Sequence, residues 1–580
     1  MMQQQGDISN TILTNQLKNA FDPKELKAKW ESIRQKKETT RSIWQVVNSN
    51  IEPELNDYVD TNKGLNNSGA VRKSKGSNYS CSINVILNKV ISELKSDLAD
   101  PAVDWLGVEF YDPVILLDGS FALLQDNHAV KKWLQDGVKA CYTVFNDDEV
   151  GFYTATGSIL KSWFVFGNCC REIIKRTDNG KILISAVNMR DVYIDLSSYG
   201  DVGTVCRELN LTAEQAFERW GEAIGEEPTR ELTQPFHSSR NTKVKKYVQI
   251  MMRNPKLHGV PYEVQSLIDR KYIVVTLDVD KTVIVNVEMH KYPPLIFSRF
   301  LDSAGEIYGK SYVWQAMPEI RTLNKLAERI MRSVDYSSLP VFLSHDSLSI
   351  ASQFVSPGAI VPDSLDDQGR PKISPINFAQ GDTGLSLSFF DRTQQTLYDM
   401  FLAKPPESPN EAQSFTATEI KTRALMMDKR ARALILPLQA QDLLLTILRV
   451  WDLLTEKGVI PPFPYQQVQD VNGIPIMPDR LPDPLSMMKV YFSGQLAKMQ
   501  KAQKVHDIDQ LLQRVFMLAQ ANPSALDNID FDEIVRECAN VYNIGANIVL
   551  AKEKVAEERE RRRQEQEKQQ MLQAAIGGEE

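Results

Sequence analysis

The sequence predicts an α+β fold, with a mixed first half and a largely helical second half. Three observations carry this prediction. Short β-rich runs separated by turn residues follow one another between residues 181 and 300. A heptad spacing of apolar residues begins after residue 311, and one helix of about 40 residues is predicted at 416–457.

Length and charge limit the classes of protein that the chain can represent. It has 580 residues, of which 42% are hydrophobic, so several domains with sizeable cores are expected. The net charge of −8 argues against a protein that coats nucleic acid over its whole surface, because such proteins carry a basic excess. A protein that surrounds DNA without gripping it remains compatible with this charge.

The six cysteines include no C-x-x-C pair, and Cys169 and Cys170 are adjacent, which predicts reduced thiols in a protein made in a cytosol. The N-terminus is rich in Gln and Asn and does not have the pattern of a signal peptide. The most apolar run, 443–454, contains Arg449 and Asp452 and is too short to span a membrane. No membrane association is therefore expected.

Residues 1–22 are predicted to form a flexible polar arm. A helix then begins with Asp22 as its cap, Pro23 in its first turn and Glu25 in a capping box. Further helices are predicted at 85–98 and 131–155, and a short one at 212–220 with Thr212 and Gln215 as its cap.

The strands of the first half are predicted from β-rich runs between turn residues. These runs are 164–167, 181–184, 192–194, a four-run meander (246–252, 262–268, 272–277 and 282–289) and 295–300.

Residues 311–337 have the apolar spacing of a packed helix. The seam consists of Val313, Ala316, Ile320, Leu323, Ala327, Ile330 and Val334. Another face carries the basic stripe, which is Arg321, Lys325, Arg329 and Arg332. The stripe could contact DNA phosphates, or it could form salt bridges between subunits or a solvated face.

The second half continues with a small β insert at 338–384, a helix at 385–403 and a proline-rich loop at 404–415. The long helix then opens with a Thr416–Glu419 capping box, and Pro437 is expected to kink it. Residues 459–484 are proline-rich, helices are predicted at 485–519 and 532–549, and 551–580 form a charged tail.

One motif suggests nucleotide binding. Residues 305–311, Gly-Glu-Ile-Tyr-Gly-Lys-Ser, resemble a phosphate-binding loop but have one residue too few between the glycines. This shortfall favours a tight turn that leads into a helix over a nucleotide site. The six histidines are scattered singly, so neither a metal site nor any other cofactor is expected.

The order of motifs resembles the portal proteins of short-tailed bacteriophages, also called head-to-tail connectors. The resemblance rests on Tyr308-Gly309-Lys310-Ser311, the helix segment 317–325 and Thr416-Ala417-Thr418-Glu419-Ile420. The segment 491–500 is also similar, although Gln495 stands where the family usually has proline. The resemblance covers about residues 22–549.

The resemblance implies a portal-type domain order. Residues 23–310, with 416–484, would form an α/β wing, in which 416–458 are a long kinked helix and 459–484 return to the wing. Helices 311–337 and 385–403 would form the stem, and 338–384 the clip. Residues 485–550 would form a helical crown. The loop at 404–415 would be a tunnel loop facing DNA, with Lys404, Glu407, Asn410, Glu411 and Gln413 as its polar residues.

The resemblance also implies a function that is not enzymatic. The chain would form a ring, usually of twelve copies, at one vertex of the virion. Double-stranded DNA would pass through it during packaging and ejection. The partners would be the major capsid protein and scaffold, the terminase large subunit and a tail adaptor protein. The alternatives are a divergent P-loop NTPase that uses Lys310 and Ser311, and a helical scaffold or internal virion protein.

Overall fold

The computed structural model describes most of the chain between residues 21 and 492. The longer described segments are 21–51, 82–221, 244–254, 270–300, 305–338, 383–401, 435–468 and 481–492, with short gaps at 103, 112, 117–120, 123, 125–126, 177–179 and 482. Residues 18, 342–344, 368, 373–375, 475, 477, 508–518 and parts of 529–538 and 555–568 are also described.

These residues form an α+β structure, as predicted. The helices are α1 (Pro23–Lys36), α2 (Glu38–Ile51), α3 (Ser82–Leu98), α4 (His128–Phe145), α5 (Phe152–Phe166), α6 (Ala213–Trp220), α7 (Tyr312–Gln315), α8 (Met317–Ser338), α9 (Thr383–Met400) and α10 (Leu444–Glu456). Among the described helices, none combines the length and the apolarity that crossing a membrane would need.

Fourteen strands are described in these segments. They are β1 (Leu106–Phe110), β2 (Val114–Ile115), β3 (Phe121–Ala122), β4 (Asn168–Lys175), β5 (Ile182–Val187), β6 (Val192–Leu196), β7 (Val202–Leu211), β8 (Lys245–Arg253), β9 (Tyr272–Asp278), β10 (Val283–His290), β11 (Leu295–Arg299), β12 (Phe342–Ser344), β13 (Ile373–Pro375) and β14 (Met488–Phe492).

The largest sheet is an antiparallel meander in which β6 to β10 follow one another as neighbours. Alternate side chains point to opposite faces of the sheet. One face, which includes Val248 and Ile250, is covered by Leu26, Trp30 and Ile33 of α1. On the other face, Trp220 of α6 packs against Tyr247.

The predicted meander is confirmed for three of its four runs. The run at 262–268 lies outside the described residues, and β8 pairs directly with β9. The predicted strand at 295–300 is also confirmed as β11. It does not extend the meander but returns to pair with β4 in a three-stranded sheet of order β11-β4-β5.

The predicted strand at 164–167 is wrong. Its first three residues are the end of α5, and the strand β4 begins only at Asn168. Nearly every residue from Ile159 to Phe166 is buried, so this part of the helix shows no polar face, and its aromatic and β-branched residues imitate a strand. The helix predicted at 131–155 is in fact two helices, because Gly151 takes a positive φ of 73° between them.

The predicted helix at 485–519 is wrong in its first part. Residues Pro484–Met487 form a single 3₁₀ turn, and Met488–Phe492 form β14, which pairs with β1 in the body of the protein. Helical structure in this region is described only at residues 508–518. β14 pairs with β1, a strand about 380 residues earlier in the chain, and such a pairing leaves no pattern in the local sequence.

Two predicted helix starts are confirmed. Thr212 and Gln215 form the reciprocal capping box at the start of α6. Asp22 caps α1 with Pro23 in the first turn, but its carboxylate accepts from the backbone N–H of Lys24 rather than from that of Glu25. Each cap satisfies backbone donors that the helix itself leaves unpaired.

Lys37, at the junction of α1 and α2, ties these helices to the meander. Its buried ammonium donates to the carbonyl oxygens of Met189, Arg190 and Val192 at 2.7 to 2.8 Å. It also lies 4.2 Å from the ring centroid of Tyr193. Burial lowers the pKa of Lys37 to about 7, and in the ammonium form each of its three protons has a carbonyl acceptor.

The most deeply buried ion pair joins β4 to the segment before α10. Nε of Arg171 lies 3.0 and 3.1 Å from the two carboxylate oxygens of Asp442, and Nη2 lies 2.6 Å from Oδ2. Both side chains are fully buried. The remaining nitrogen of Arg171 donates to the hydroxyl of Thr156 at 3.3 Å. The pair therefore joins two segments that are 271 residues apart in the chain.

The next residue of β4, Glu172, points to the opposite face of the strand and pairs with Arg207 of β7 and Arg219 of α6. Burial alone would raise the pKa of Glu172. The two guanidinium groups outweigh burial and hold the pKa of this carboxyl at about 2. Glu172 therefore connects the small sheet to the meander as a carboxylate.

We expect Asp442→Ala to lower the free energy of unfolding by about 3–5 kcal/mol, because it leaves the guanidinium of Arg171 buried without its counter-charge. Urea unfolding followed by tryptophan fluorescence measures this. The matched control is the double variant Arg171→Met/Asp442→Leu, which removes both charges and should cost less than the single substitution. A double variant that is less stable than Asp442→Ala would contradict the assignment.

We expect Glu172 to make stability fall at acid pH. Its folded pKa of about 2 lies below the ordinary value of 4.5 for a glutamate, so the unfolded chain binds the proton more readily. The stabilisation is complete above the unfolded pKa and is lost as the pH falls through the folded pKa, by about 3 kcal/mol. Urea unfolding at pH 6 and pH 2.5 measures the loss. Glu172→Gln should show a smaller drop between the two pH values, and an equal drop would contradict this origin.

Candidate functional site

The turn at 305–311 lies between β11 and α7, the short helix that precedes α8. Gly309 sits so close to other backbone that a Cβ would lie 2.2 Å from the carbonyl oxygen of Phe300 and 2.7 Å from that of Gly167. Only glycine fits there without displacing these segments. Gly309, the second glycine of the motif that resembles a phosphate-binding loop, is therefore needed for close packing of the backbone.

Asn168, the first residue of β4, holds this turn with both ends of its amide. Nδ2 donates to the carbonyl oxygens of Phe166 and Gly309 at 2.9 and 3.0 Å, and Oδ1 accepts from the N–H of Gly309 at 2.9 Å. The hydroxyl of Tyr308 accepts from the N–H of Ile194 at 3.2 Å. The turn is thus tied to both sheets.

The other polar groups of the motif are also engaged. The hydroxyl of Ser311 accepts from the N–H of Trp314 at 3.0 Å, which caps α7, and donates to the carbonyl oxygen of Val165. Lys310 forms a half-exposed ion pair with Glu306 at 3.1 Å. These contacts are those of a tight turn that leads into a helix, the alternative to a phosphate-binding loop.

Beyond the turn, α8 and α9 form what we call the helical hairpin. Its base is an aromatic cluster in which the ring of Phe164 lies 5.4 Å from Tyr312 and 5.6 Å from Phe401, measured between centroids. The rings of Tyr312 and Phe401 are 6.2 Å apart, so the start of α7 and the end of α9 lie at the same level. The cluster joins both arms to α5.

Burial of the seam on α7 and α8 decreases along the helices. Val313, Ile320 and Leu323 are fully buried and Ala327 is 7% exposed. Ile330 is half-buried, and Val334 is 54% exposed. The single chain therefore covers the seam near the base of the hairpin and leaves its outer end open.

Along the returning arm α9, burial of the apolar side chains increases towards the base of the hairpin. Leu397 and Phe401, near the base, are fully buried, whereas Leu385, Leu387 and Phe389 are each more than half exposed. Removing this much apolar surface from water would be favourable, so the outer half of the hairpin has the character of an interface.

The four residues of the basic stripe are all exposed. Arg332 pairs with Glu328 one turn earlier at 2.5 Å. Within the described part of the chain, Arg321, Lys325 and Arg329 form no ion pair. The stripe lies on the side of α8 away from the buried residues Ile320, Leu323 and Ala327.

Pro437 lies just before a π-helical segment, Gln439–Leu443, which continues into α10. Two side chains of this π-helical segment, those of Gln441 and Asp442, contact residues of the sheets. The carboxamide oxygen of Gln441 accepts from the N–H of Arg299 at 2.8 Å, and Asp442 binds Arg171. Proline and π-helical turns are both recognised causes of local distortion in a long helix.

Several predicted site residues lie outside the described residues. These are Lys404, Glu407, Asn410, Glu411 and Gln413, together with the first half of the long helix up to residue 434. The insert at 338–384 is described only in part, with β12 and β13 paired antiparallel. Sequence reasoning also missed Asn168, Arg171 and Asp442, whose partners are more than 100 residues away.

The chain is similar to known phage proteins over most of its length. It is 21% identical over 554 residues to the "Probable portal protein" of Bordetella phage BPP-1, covering 92% of this chain and 89% of that protein. It is 20% identical over 506 residues to the "Portal protein" of Salmonella phage epsilon15, covering 84% and 83%.

The model of one protein family, described as "Bacteriophage head to tail connecting protein", matches residues 23–549. The matched region contains the turn, the helical hairpin and the segment from Pro437 into α10. Because the match spans well over half of the chain, this protein belongs to the bacteriophage head-to-tail connecting protein family.

Proposed function

We propose that this protein is the portal of a bacteriophage: a ring of identical subunits at one vertex of the capsid, through which the genome is packaged and ejected. The observation that supports this best is the family match over residues 23–549. The relatives named as portal proteins, which match this chain over most of its length, support the same assignment.

The helical hairpin supports a ring. Its base is fixed to the body by the aromatic cluster, and its outer half exposes Leu385, Leu387 and Phe389. A face of one subunit that fits a different face of the next produces a closed ring when the rotation between copies closes. We propose twelve copies, with 311–337 and 385–403 as the stem around the channel.

The remaining segments follow the same scheme. Residues 23–310 would form the wing together with 416–484, and 338–384 the clip that meets the terminase large subunit and later a tail adaptor. Residues 485–550 would form the crown inside the head, with β14 at its start anchored to β1 of the wing, and the subunit would contact the major capsid protein and scaffold. The loop at 404–415 would project into the channel. ATP hydrolysis would belong to the separate motor.

The net charge of the chain and its distribution are compatible with a channel for DNA. Each phosphate gripped by a protein adds salt-dependent affinity and would slow a duplex that has to slide. The net charge is −8, and the basic stripe is confined to one face of α8. A channel that guides DNA without holding it is consistent with this distribution.

We expect electron microscopy of the purified protein to show rings with a central hole wide enough for duplex DNA. The triple variant Leu385→Ser/Leu387→Ser/Phe389→Ser should form fewer rings, because it removes exposed apolar surface from α9. Tyr199→Ser is the matched control: Tyr199 is 90% exposed at the β6–β7 turn, far from the hairpin in the chain, and its variant should form rings normally. A wild-type protein that stays monomeric under assembly conditions would refute the proposal.

We expect deletion of residues 407–411 to leave ring formation intact and to impair packaging or retention of DNA, because this loop would meet the moving duplex. Ring formation is checked by microscopy and DNA content by quantifying the genome in purified particles. Residues 61–78 are mostly Asn, Gly, Ser and Lys and are predicted to form a loop. A five-residue deletion within them is the control and should package normally. Loss of rings in the 407–411 deletion would contradict the assignment of the loop.

A further inference from the structure

The helical hairpin carries opposite charges on its two arms. On α8, Arg321, Lys325 and Arg329 are exposed and form no ion pair within the described residues. On α9, Asp391 and Asp399 are exposed and likewise form none there. α8 thus presents three cations without an ion-pair partner among the described residues, and α9 presents two such anions beside one cation, the exposed Arg392.

The surroundings of Asp391 indicate what covers it. Leu387 lies one helical turn away on the same side of α9 and is 51% exposed. Leu385 and Phe389 are exposed on the other side of α9, so Leu387 is the apolar neighbour of Asp391. Apolar area beside a carboxylate suits a protein surface that brings a cation, whereas the phosphates of DNA would be repelled by the carboxylate.

Helix geometry places Asp391 at the height of one particular cation. The rings of Tyr312 and Phe401 pack together at the base of the hairpin. They mark a common base level from which height along both arms is measured. At 1.5 Å for each residue, Asp391 stands about 15 Å above this base and Arg321 about 14 Å. Arg329 stands about 26 Å above it, and Asp399 only about 3 Å.

A ring whose axis runs along the two arms keeps these heights the same in every copy. Rotation about an axis that runs along the arms moves each atom around the ring without changing its level. The basic stripe faces away from the buried side of its own α8, so it is free to meet the exposed side of α9 in the next copy. At that contact, Arg321 and Asp391 lie at the same level.

We propose that Arg321 of one subunit pairs with Asp391 of its neighbour, so that the α8–α9 contact between subunits is set by this charge pair within an apolar interface. The proposal rests on the ring proposed above and assigns part of the stripe to a second copy of this chain. An arginine and a carboxylate can form two parallel hydrogen bonds, which fixes the register of the two helices.

Charge reversal tests the pair. Arg321→Asp or Asp391→Arg alone would place like charges together and raise the protein concentration at which half of the chains are in rings by about fivefold or more. The double variant Arg321→Asp/Asp391→Arg restores opposite charges and should return this concentration to near that of the wild type. Mass photometry across a dilution series measures it, and unchanged circular dichroism confirms that each variant is folded.

The control is Arg329→Asp, which makes the same charge change on the same face of α8. At the height of Arg329 the described part of α9 offers no carboxylate, so Asp391→Arg should not rescue Arg329→Asp. Rescue of both arginine variants alike would overturn the specific pair.

The remaining outcomes separate the alternatives. Wild-type rings whose assembly is unaffected by Arg321→Asp, but whose affinity for a short DNA duplex falls, would assign the stripe to DNA and overturn the pair. Single variants that weaken rings without rescue in the double variant would also overturn it. A wild-type protein that forms no rings would instead refute the proposed function, and the pair with it.

Discussion

The buried ion pair between Arg171 and Asp442 is the contact on which the arrangement of this protein depends. It holds the segment between Pro437 and α10 against the small sheet, and both charges are fully removed from water. Such a pair requires good geometry, because each charge loses its hydration and only the interactions with its partners offset that loss. The bidentate contact and the hydroxyl of Thr156 supply that compensation. The position of the π-helical turn and of α10 is therefore tightly specified.

The strand β4 organises the parts around this pair. At its start, Asn168 clamps the turn that leads into the helical hairpin. Arg171 holds the π-helical turn before α10 on one face, and Glu172 reaches Arg207 of the meander on the other. Because side chains alternate along a strand, one short segment can serve two layers at once. The turn, α10 and the meander are consequently held in fixed relation by one strand.

This rigidity has a consequence for function. In a ring of hairpins, a small change in the angle of each subunit accumulates around the circle. The base of the hairpin is fixed by the rings of Phe164, Tyr312 and Phe401, while apolar residues of the outer half, such as Leu387, are exposed. A fixed base with an open outer face is what a subunit needs if its neighbours are to complete its core.

The sequence by itself determined what depends on neighbouring residues. The capping of α6 by Thr212, the runs of β8 to β10 and the helical period after residue 311 are local, because they follow from backbone chemistry and side-chain spacing. Tertiary structure decided the rest. The helical state of 164–166, the pairing of β14 with β1 and the partners of Asn168 and Arg171 depend on residues far away in the chain. The spacing of the glycines at 305 and 309 already favoured a turn over a phosphate-binding loop. The contacts that require glycine at 309 involve backbone elsewhere in the chain, such as that of Gly167, and close packing of this kind leaves no local pattern in the sequence.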